Sequence, residues 1–265
     1  MEEVERVHLF ALKRFLNVSL HCSNKRVYSE TGRYPLSINH RIRVIKFWLK
    51  IKKYSMNRIV KQSYNCLLNL ALKGQDNWVS NVRDVLSLNG YGVVWLTGEV
   101  GSQKLFFKSF KETLIDNFKQ DIYSRMAKDG NCNWYFGIKQ FIDTESYLVN
   151  TNLKLYLRNV LIKFRLGTSQ INCHKFMFSN CDMSKMCSFC IRHCYENELH
   201  MLFVCPLYDD LRREYLSSQK YSYDELLNCK HKLRIFFTND SYIIAKYLHL
   251  CFLKRNETLQ LRKKC

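Results

Sequence analysis

Only two prolines, Pro35 and Pro206, and nine glycines interrupt the 265 residues of this chain. So few breakers cannot supply the many turns of an all-β fold, and they suit long helices. Apolar residues make up 47% of the sequence, enough for a real core, and an aromatic content of 14% argues against disorder. The length allows one large domain or two modest ones. The predicted class is all-α, a multi-helix body with a small metal-tied segment in its C-terminal third. The turn signal Lys128-Asp129-Gly130-Asn131 suggests a division into residues 1–130 and 131–265.

Apolar residues at spacings of three and four predict helices over 3–17, 36–53, 56–73, 76–88, 103–127, 148–164, 207–215 and 242–261. In the second of these, Ile38, Ile42, Ile45, Trp48 and Leu49 form one inward face. In the fourth, Trp78, Val79, Val82, Val85 and Leu86 do so. Leu153, Leu157, Val160, Leu161 and Phe164 point inward in the sixth. The stretch from Ser19 to Ser37 is polar and ends in the turn Gly32-Arg33-Tyr34-Pro35. The segment from Gly90 to Gly101 reads as a short strand or a buried turn.

The charge is lopsided. Lys and Arg number 42 against 23 Asp and Glu, a net charge of +19. Such a surplus favours a polyanionic partner, RNA or DNA. It is also distributed in blocks. No acid lies between Thr31 and Gln75, where Arg43, Lys46, Lys50 and Lys53 recur on one helical face. An ordinary surface helix mixes signs and gains from i,i+4 pairs. No acid lies between Ser146 and Cys181 either. There Lys154, Arg158 and Arg165 share a face, with Lys163 close by. These eight cations are the candidate phosphate contacts, weighed against merely solvated basic faces. Trp48, Tyr34 and Phe189 are candidates to stack on unpaired bases.

The N-terminus has no basic stretch leading into an apolar run, so no secretory signal is read there, and no apolar run reaches the ~18 residues needed to cross a bilayer. The expected location is intracellular, nuclear or cytoplasmic, with no membrane partner. The twelve cysteines are then expected as reduced thiols. Cys22, Cys66, Cys132, Cys229 and Cys251 sit in apolar surroundings and are expected in the core. Five others crowd between Cys181 and Cys205. Within that cluster Cys187, Cys190, His200 and Cys205 form a C-x2-C-x9-H-x4-C pattern. Cys3His is a recognised set for one tetrahedral structural zinc ion. His193 and Cys194 follow Cys190 too closely to complete the usual knuckle and rank second, with Cys181 behind them. Residues Glu196 to Glu198 favour a helix start, so His200 is expected one turn into a helix. Cys205 is expected near the positive end of the helix that Pro206 opens. All four positions would be filled by protein, which marks a structural rather than a catalytic site.

The run from Glu196 through Tyr208, placed behind Cys187-x-x-Cys190, resembles the C-terminal zinc-binding region of non-LTR (LINE-type) retrotransposon reverse transcriptases. Val27 to Leu36, followed by the helix from Arg41 to Trp48, is similar to the segment after that family's polymerase palm. Leu161 to Gly167 is similar to the basic helix before its knuckle. The matched segments span about residues 8–216. The resemblance implies a region that grips template RNA or target DNA, with a reverse transcriptase core as a partner in the intact element. It implies no polymerase activity here, because the fingers and palm would lie ahead of Met1.

Other chemistry is sparse. No Gly-rich phosphate loop, H-E-x-x-H or G-x-S-x-G occurs. Tyr208-Asp209-Asp210 sits just after Pro206 and reads as acids at a helix start, favoured by the helix dipole. The expected function is nucleic-acid binding by a zinc-stabilised domain without catalytic activity of its own. A protein-interaction module, or a non-functional remnant of a retroelement, is the alternative.

Overall fold

The structure, a computed structural model, describes residues 1–128, 133–178, 184–190, 194–216, 230–239 and 241–264. Among them every regular element is helical, apart from two isolated β-bridges. In chain order the α-helices are α1 (Glu2–Phe15), α2 (Asn24–Thr31), α3 (Leu36–Lys52), α4 (Ile59–Leu72), α5 (Trp78–Leu88), α6 (Gly92–Thr97) and α7 (Gln103–Lys128). They continue with α8 (Asn133–Ile138), α9 (Ser146–Val149), α10 (Leu155–Arg165), α11 (Asn172–Phe178), α12 (Asp209–Tyr215), α13 (Lys230–Asn239) and α14 (Ser241–Lys264). No helix among the described residues is long and apolar enough to cross a membrane.

The chain divides into two compact units. The first comprises Met1–Glu5 and Tyr34–Ser124, the second Arg6–Arg33 and Arg125–Cys265. Residues 6–33, expected with the N-terminal region, therefore belong with the second unit.

In the first unit α3 is the hub. Its periodic face of Ile38, Ile42, Ile45, Trp48 and Leu49 is buried against Tyr64 of α4, against Val79, Val82 and Leu86 of α5, and against Phe106, Phe110 and Leu114 of α7. The Trp48 indole N–H donates to the Tyr64 hydroxyl at 3.3 Å, so its one polar atom is satisfied in the core. α5 begins at a reciprocal cap. The Asn77 side chain accepts from the Val79 and Ser80 N–H groups, and Ser80 Oγ accepts from the Asn77 N–H. The segment 90–101 is helical, not extended. Tyr91, Val94 and Trp95 turn inward at spacings of three and one, and Trp95 stacks on Trp48 with ring centres 5.6 Å apart. Gly98, at φ +73°, ends that turn by donating its N–H to the Val94 carbonyl.

In the second unit α10 packs on α14, burying Leu157, Leu161 and Phe164 with Ile244, Tyr247 and Leu248. The expected continuous helix 148–164 is broken between α9 and α10. Asn150 Oδ1 there accepts from the Asn152 N–H at 2.9 Å, an Asx turn that competes with helix. The polar stretch before Ser37 holds a helix after all. α2 buries Arg26, Ser29, Glu30 and Thr31 beside Val27 and Tyr28. Periodicity misses it because its buried face is polar. Gly32 closes α2 at φ +63°, where a Cβ would come within 2.4 Å of the Thr144 backbone nitrogen, so only glycine fits.

Glu30 explains how that polar face is tolerated. Its carboxylate accepts from Arg165 Nε at 2.6 Å and from the Tyr135 hydroxyl at 2.7 Å, and also from the Tyr147 hydroxyl. Arg165 pairs in addition with Glu145 at 3.0 Å, and Glu145 with Lys139 at 2.6 Å. Arg165 was expected among the surface cations. It is instead buried, drawn inward by an acid 135 residues away in sequence.

Burial alone would raise the Glu30 pKa. The Arg165 charge and the hydrogen bonds from Arg165, Tyr147 and Tyr135 outweigh it and leave the carboxyl below its ordinary value of 4.5. The stability it contributes is therefore fully present above about pH 4.5 and lost as pH falls through its lower folded value. Glu30→Gln leaves Arg165 buried with only its weaker partner Glu145. It is expected to destabilise the second unit by about 3–5 kcal/mol, measured by urea unfolding at neutral pH, and to flatten the acid limb of the stability curve. An unchanged midpoint would show that the pair is dispensable.

Candidate metal centre

The sequence between Lys185 and Pro206 is folded by three local devices. First, residues 185–187 pair antiparallel with 194–196. The Cys187 N–H donates to the Cys194 carbonyl at 2.8 Å, and the Glu196 N–H to the Lys185 carbonyl at 2.9 Å. Second, Asn197 starts the next turn as predicted for this acidic-amide run. Its side-chain oxygen accepts from the His200 N–H at 2.8 Å, and its carbonyl from the Met201 N–H at 3.0 Å. Third, the turn from His200 to Val204 is wide, closed by the Cys205 N–H on the His200 carbonyl at 2.8 Å. A regular α-helix would set positions 200 and 205 about 140° apart around its axis. The wide turn brings them to one side, as π-type turns at functional sites do.

The result is a cluster. The ligand atoms of Cys187, His200 and Cys205 all lie within 4.8 Å of one another, and all three residues are buried. Cys187 Sγ and Cys205 Sγ are 3.7 Å apart. Cys190, at the rim, places its Sγ 3.7 Å from His200 Nε2. The Phe189 N–H donates to Cys187 Sγ at 3.4 Å, the amide-to-sulfur contact of a tight knuckle. Tetrahedral ligands bonded at ≈ 2.3 Å stand about 3.7 Å apart, the separation of Cys187 Sγ from Cys205 Sγ and of Cys190 Sγ from His200 Nε2, while the mutual cluster itself comprises Cys187, His200 and Cys205. The group could hold a metal ion.

The electrostatics agree. The hydrogen bond to Cys205, and then burial, push the Cys187 thiol up to about 12. The same hydrogen bond, helped by the Leu207 N–H at the mouth of the following turn, lowers Cys205. Two touching, buried sulfurs resist double ionisation unless a cation compensates them. Of the competing ligands, His193 and Cys181 lie outside the described residues. Cys194 is half-buried and contributes its carbonyl to the strand pairing.

Further contacts fix this loop to the helices. Glu196, buried, accepts from Arg255 of α14 and from the Asn172 N–H at 2.8 Å. Asn172 Nδ2 donates to the Met186 carbonyl at 2.7 Å. Phe189 lies between two guanidinium groups of α14, Arg255 at 4.8 Å and Arg262 at 5.3 Å. None of these partners is visible in the C-x2-C spacing.

Sequence reasoning also missed a neighbouring group, Cys173, His174 and Glu198. His174 is wholly buried. Its Nδ1 lies 3.2 Å from the Ser169 N–H and 2.7 Å from Ser169 Oγ, and its Nε2 is 2.8 Å from Glu198 Oε1. A backbone N–H can only donate, so Nδ1 is an acceptor and the proton sits on Nε2, facing Glu198. Both ring nitrogens are engaged, and the group reads as a relay holding Glu198 two residues before His200.

The expected core thiols divide. Cys22 and Cys251 are buried, Cys66 is exposed, and Cys132 and Cys229 lie outside the described residues. The candidate phosphate contacts divide too. Arg43, Lys46, Lys50 and Lys53 are exposed along and just beyond α3, and Lys154 is exposed before α10. Lys163 is half-buried. Arg158 bends back to the Asn150 carbonyl at 2.6 Å, and Arg165 is removed to the interior. Trp48 cannot stack on a base, being fully buried. Asp209 and Asp210 stand at the start of α12, where Asp210 pairs with Lys254 at 2.7 Å. Comparison with protein-family models, curated proteins and solved structures finds no match to the chain.

A strong chelator should raise hydrogen exchange in residues 184–216 and along α14, through Phe189 and Glu196, while α3 to α5 keep their protection. Equal protection with and without chelator would count against a bound ion. Because Cys187 must give up a proton near 12, metal affinity should fall as pH is lowered, as a competition titration would show.

Proposed function

We propose that the chain is a nucleic-acid-binding domain, stabilised by one structural zinc ion and without catalytic activity of its own, derived from a retrotransposon reverse transcriptase. The observation that carries the binding reading is the row Arg43, Lys46, Lys50 and Lys53. These side chains are exposed, and among the described residues no carboxylate pairs with them. Cations held apart from acids on a rigid helix are placed to displace counterions from a phosphate backbone. Zinc is the ion that cysteine sulfurs with an imidazole nitrogen favour, and Cys187, His200 and Cys205 lie close enough together to share one, with Cys190 beside His200 as the fourth candidate. Cys187, Cys190, His200 and Cys205 would hold it, and its role would be to tie the loop 185–205 to α14. The resemblance of Glu196 to Tyr208 to the zinc-binding region of non-LTR reverse transcriptases supports the same reading.

Two measurements test it. Anisotropy with labelled RNA and DNA oligonucleotides should show log affinity falling linearly with log salt, by about 0.7 per phosphate contact on a single strand. Arg43→Gln with Lys50→Gln should flatten that slope by about 1.4, two contacts' worth. Affinity independent of salt would overturn the binding reading. Native mass spectrometry should find one zinc per chain, lost in Cys190→Ser; metal-free wild-type protein would overturn the zinc reading.

A further inference from the structure

The cation row on α3 surrounds an aromatic ring. Phe47 lies one turn after Arg43 and one turn before Lys50, on the same face, with Lys46 beside it. The residue is 50% exposed. It meets Trp78 edge-on, with centres 5.7 Å apart and planes at 61°, a contact that fixes the ring without covering it. The Lys46 ammonium is steadied over the Phe107 ring at 5.1 Å. The core does not require Phe47, because Ile45, Trp48 and Leu49 already fill the inward side of this turn. Single exposed apolar residues are common; what sets Phe47 apart is a ring fixed by Trp78 with Arg43, Lys46 and Lys50 around it, the pairing of π-face and cations that an unpaired nucleotide strand can use.

We propose that this face takes single-stranded nucleic acid, with an unpaired base stacked on Phe47 and the flanking phosphates held by Arg43, Lys46 and Lys50. This rests on the nucleic-acid reading above and narrows it to unpaired strands. A duplex hides the flat faces of its bases in its own stack and can use only the cations. A single strand can use both, and any base suffices because each presents a π-face.

The test uses the full chain with a uridine oligonucleotide and a duplex RNA of equal phosphate number. Phe47→Leu keeps the side chain apolar and of similar size but removes the ring. It is expected to weaken single-strand binding about five-fold or more, to leave duplex binding within about two-fold, and to leave the salt slope unchanged. Phe47→Tyr should retain single-strand affinity. Phe47→Trp should show emission, relative to wild type, that the uridine oligonucleotide quenches and the duplex does not. Unchanged single-strand affinity in Phe47→Leu, or no quenching in Phe47→Trp, would overturn the stacking proposal. If Arg43→Gln with Lys50→Gln still weakened binding in that case, the broader nucleic-acid reading would stand. If wild-type protein bound neither probe, both would fall together.

Discussion

The second unit is organised by one buried ion pair, Glu30 with Arg165. Both side chains are inaccessible to water, and the carboxylate is further held by two tyrosine hydroxyls from residues 135 and 147. Desolvation offsets most of the attraction within such a pair, so its net contribution is small. Its force lies in what it forbids. Any arrangement that brings α10 into the core without α2 leaves the buried guanidinium with only its weaker partner Glu145, at a cost of several kcal/mol. The segment 6–33 must therefore dock with chain beyond residue 125, although α3 follows it directly. Gly32 completes the arrangement, since the Thr144 backbone approaches too closely for any side chain.

The same device recurs at the loop that carries the candidate metal ligands. Glu196 and Arg255 are buried as a pair, and the carboxylate also takes the first N–H of α11. The loop is thus fastened on one side by a glutamate buried against Arg255, and carries on the other Cys187, His200 and Cys205, which a cation could draw together. Phe189, the third residue of Cys187-Ser188-Phe189-Cys190, places its ring between Arg255 and Arg262 and transmits the position of the knuckle to α14. If an ion is bound there, its removal would strain these contacts rather than erase them, so the loop and α14 are expected to respond together.

What the sequence made legible follows from how local each signal is. The face of α3 repeats at three and four residues and is buried as expected. The cluster of Cys187, His200 and Cys205 lies within nineteen residues and depends on a knuckle, a cap and one turn, all short-range. What stayed hidden depends on distant partners. α2 was missed because its inward side chains are polar, and their hydrogen-bond acceptors and donors come from residues 135, 147, 165 and 166. The helix at Gly92–Thr97 was missed because its flanking glycines suggest a turn, whereas Trp48 supplies a surface on which Trp95 can stack. The wide turn at His200 has no compositional signature, yet it aligns two of the ligands.

The two acid-free stretches show why a charge pattern needs a fold before it can be read. Between Thr31 and Gln75 and between Ser146 and Cys181 the sequences look alike, with cations at helical spacing and no acid nearby. On α3 the cations remain outside, because the interior of that unit is built of aliphatic and aromatic side chains with no buried carboxylate to attract them. On α10 an acid arrives from elsewhere in the chain, Glu30 takes Arg165 inward, and backbone carbonyls at Asn150 and Leu153 take Arg158. A cation is left for a phosphate only where the protein itself offers it no better anion. By that criterion α3, rather than α10, carries the cations left free to meet an anion, and the half-exposed Phe47 stands among them.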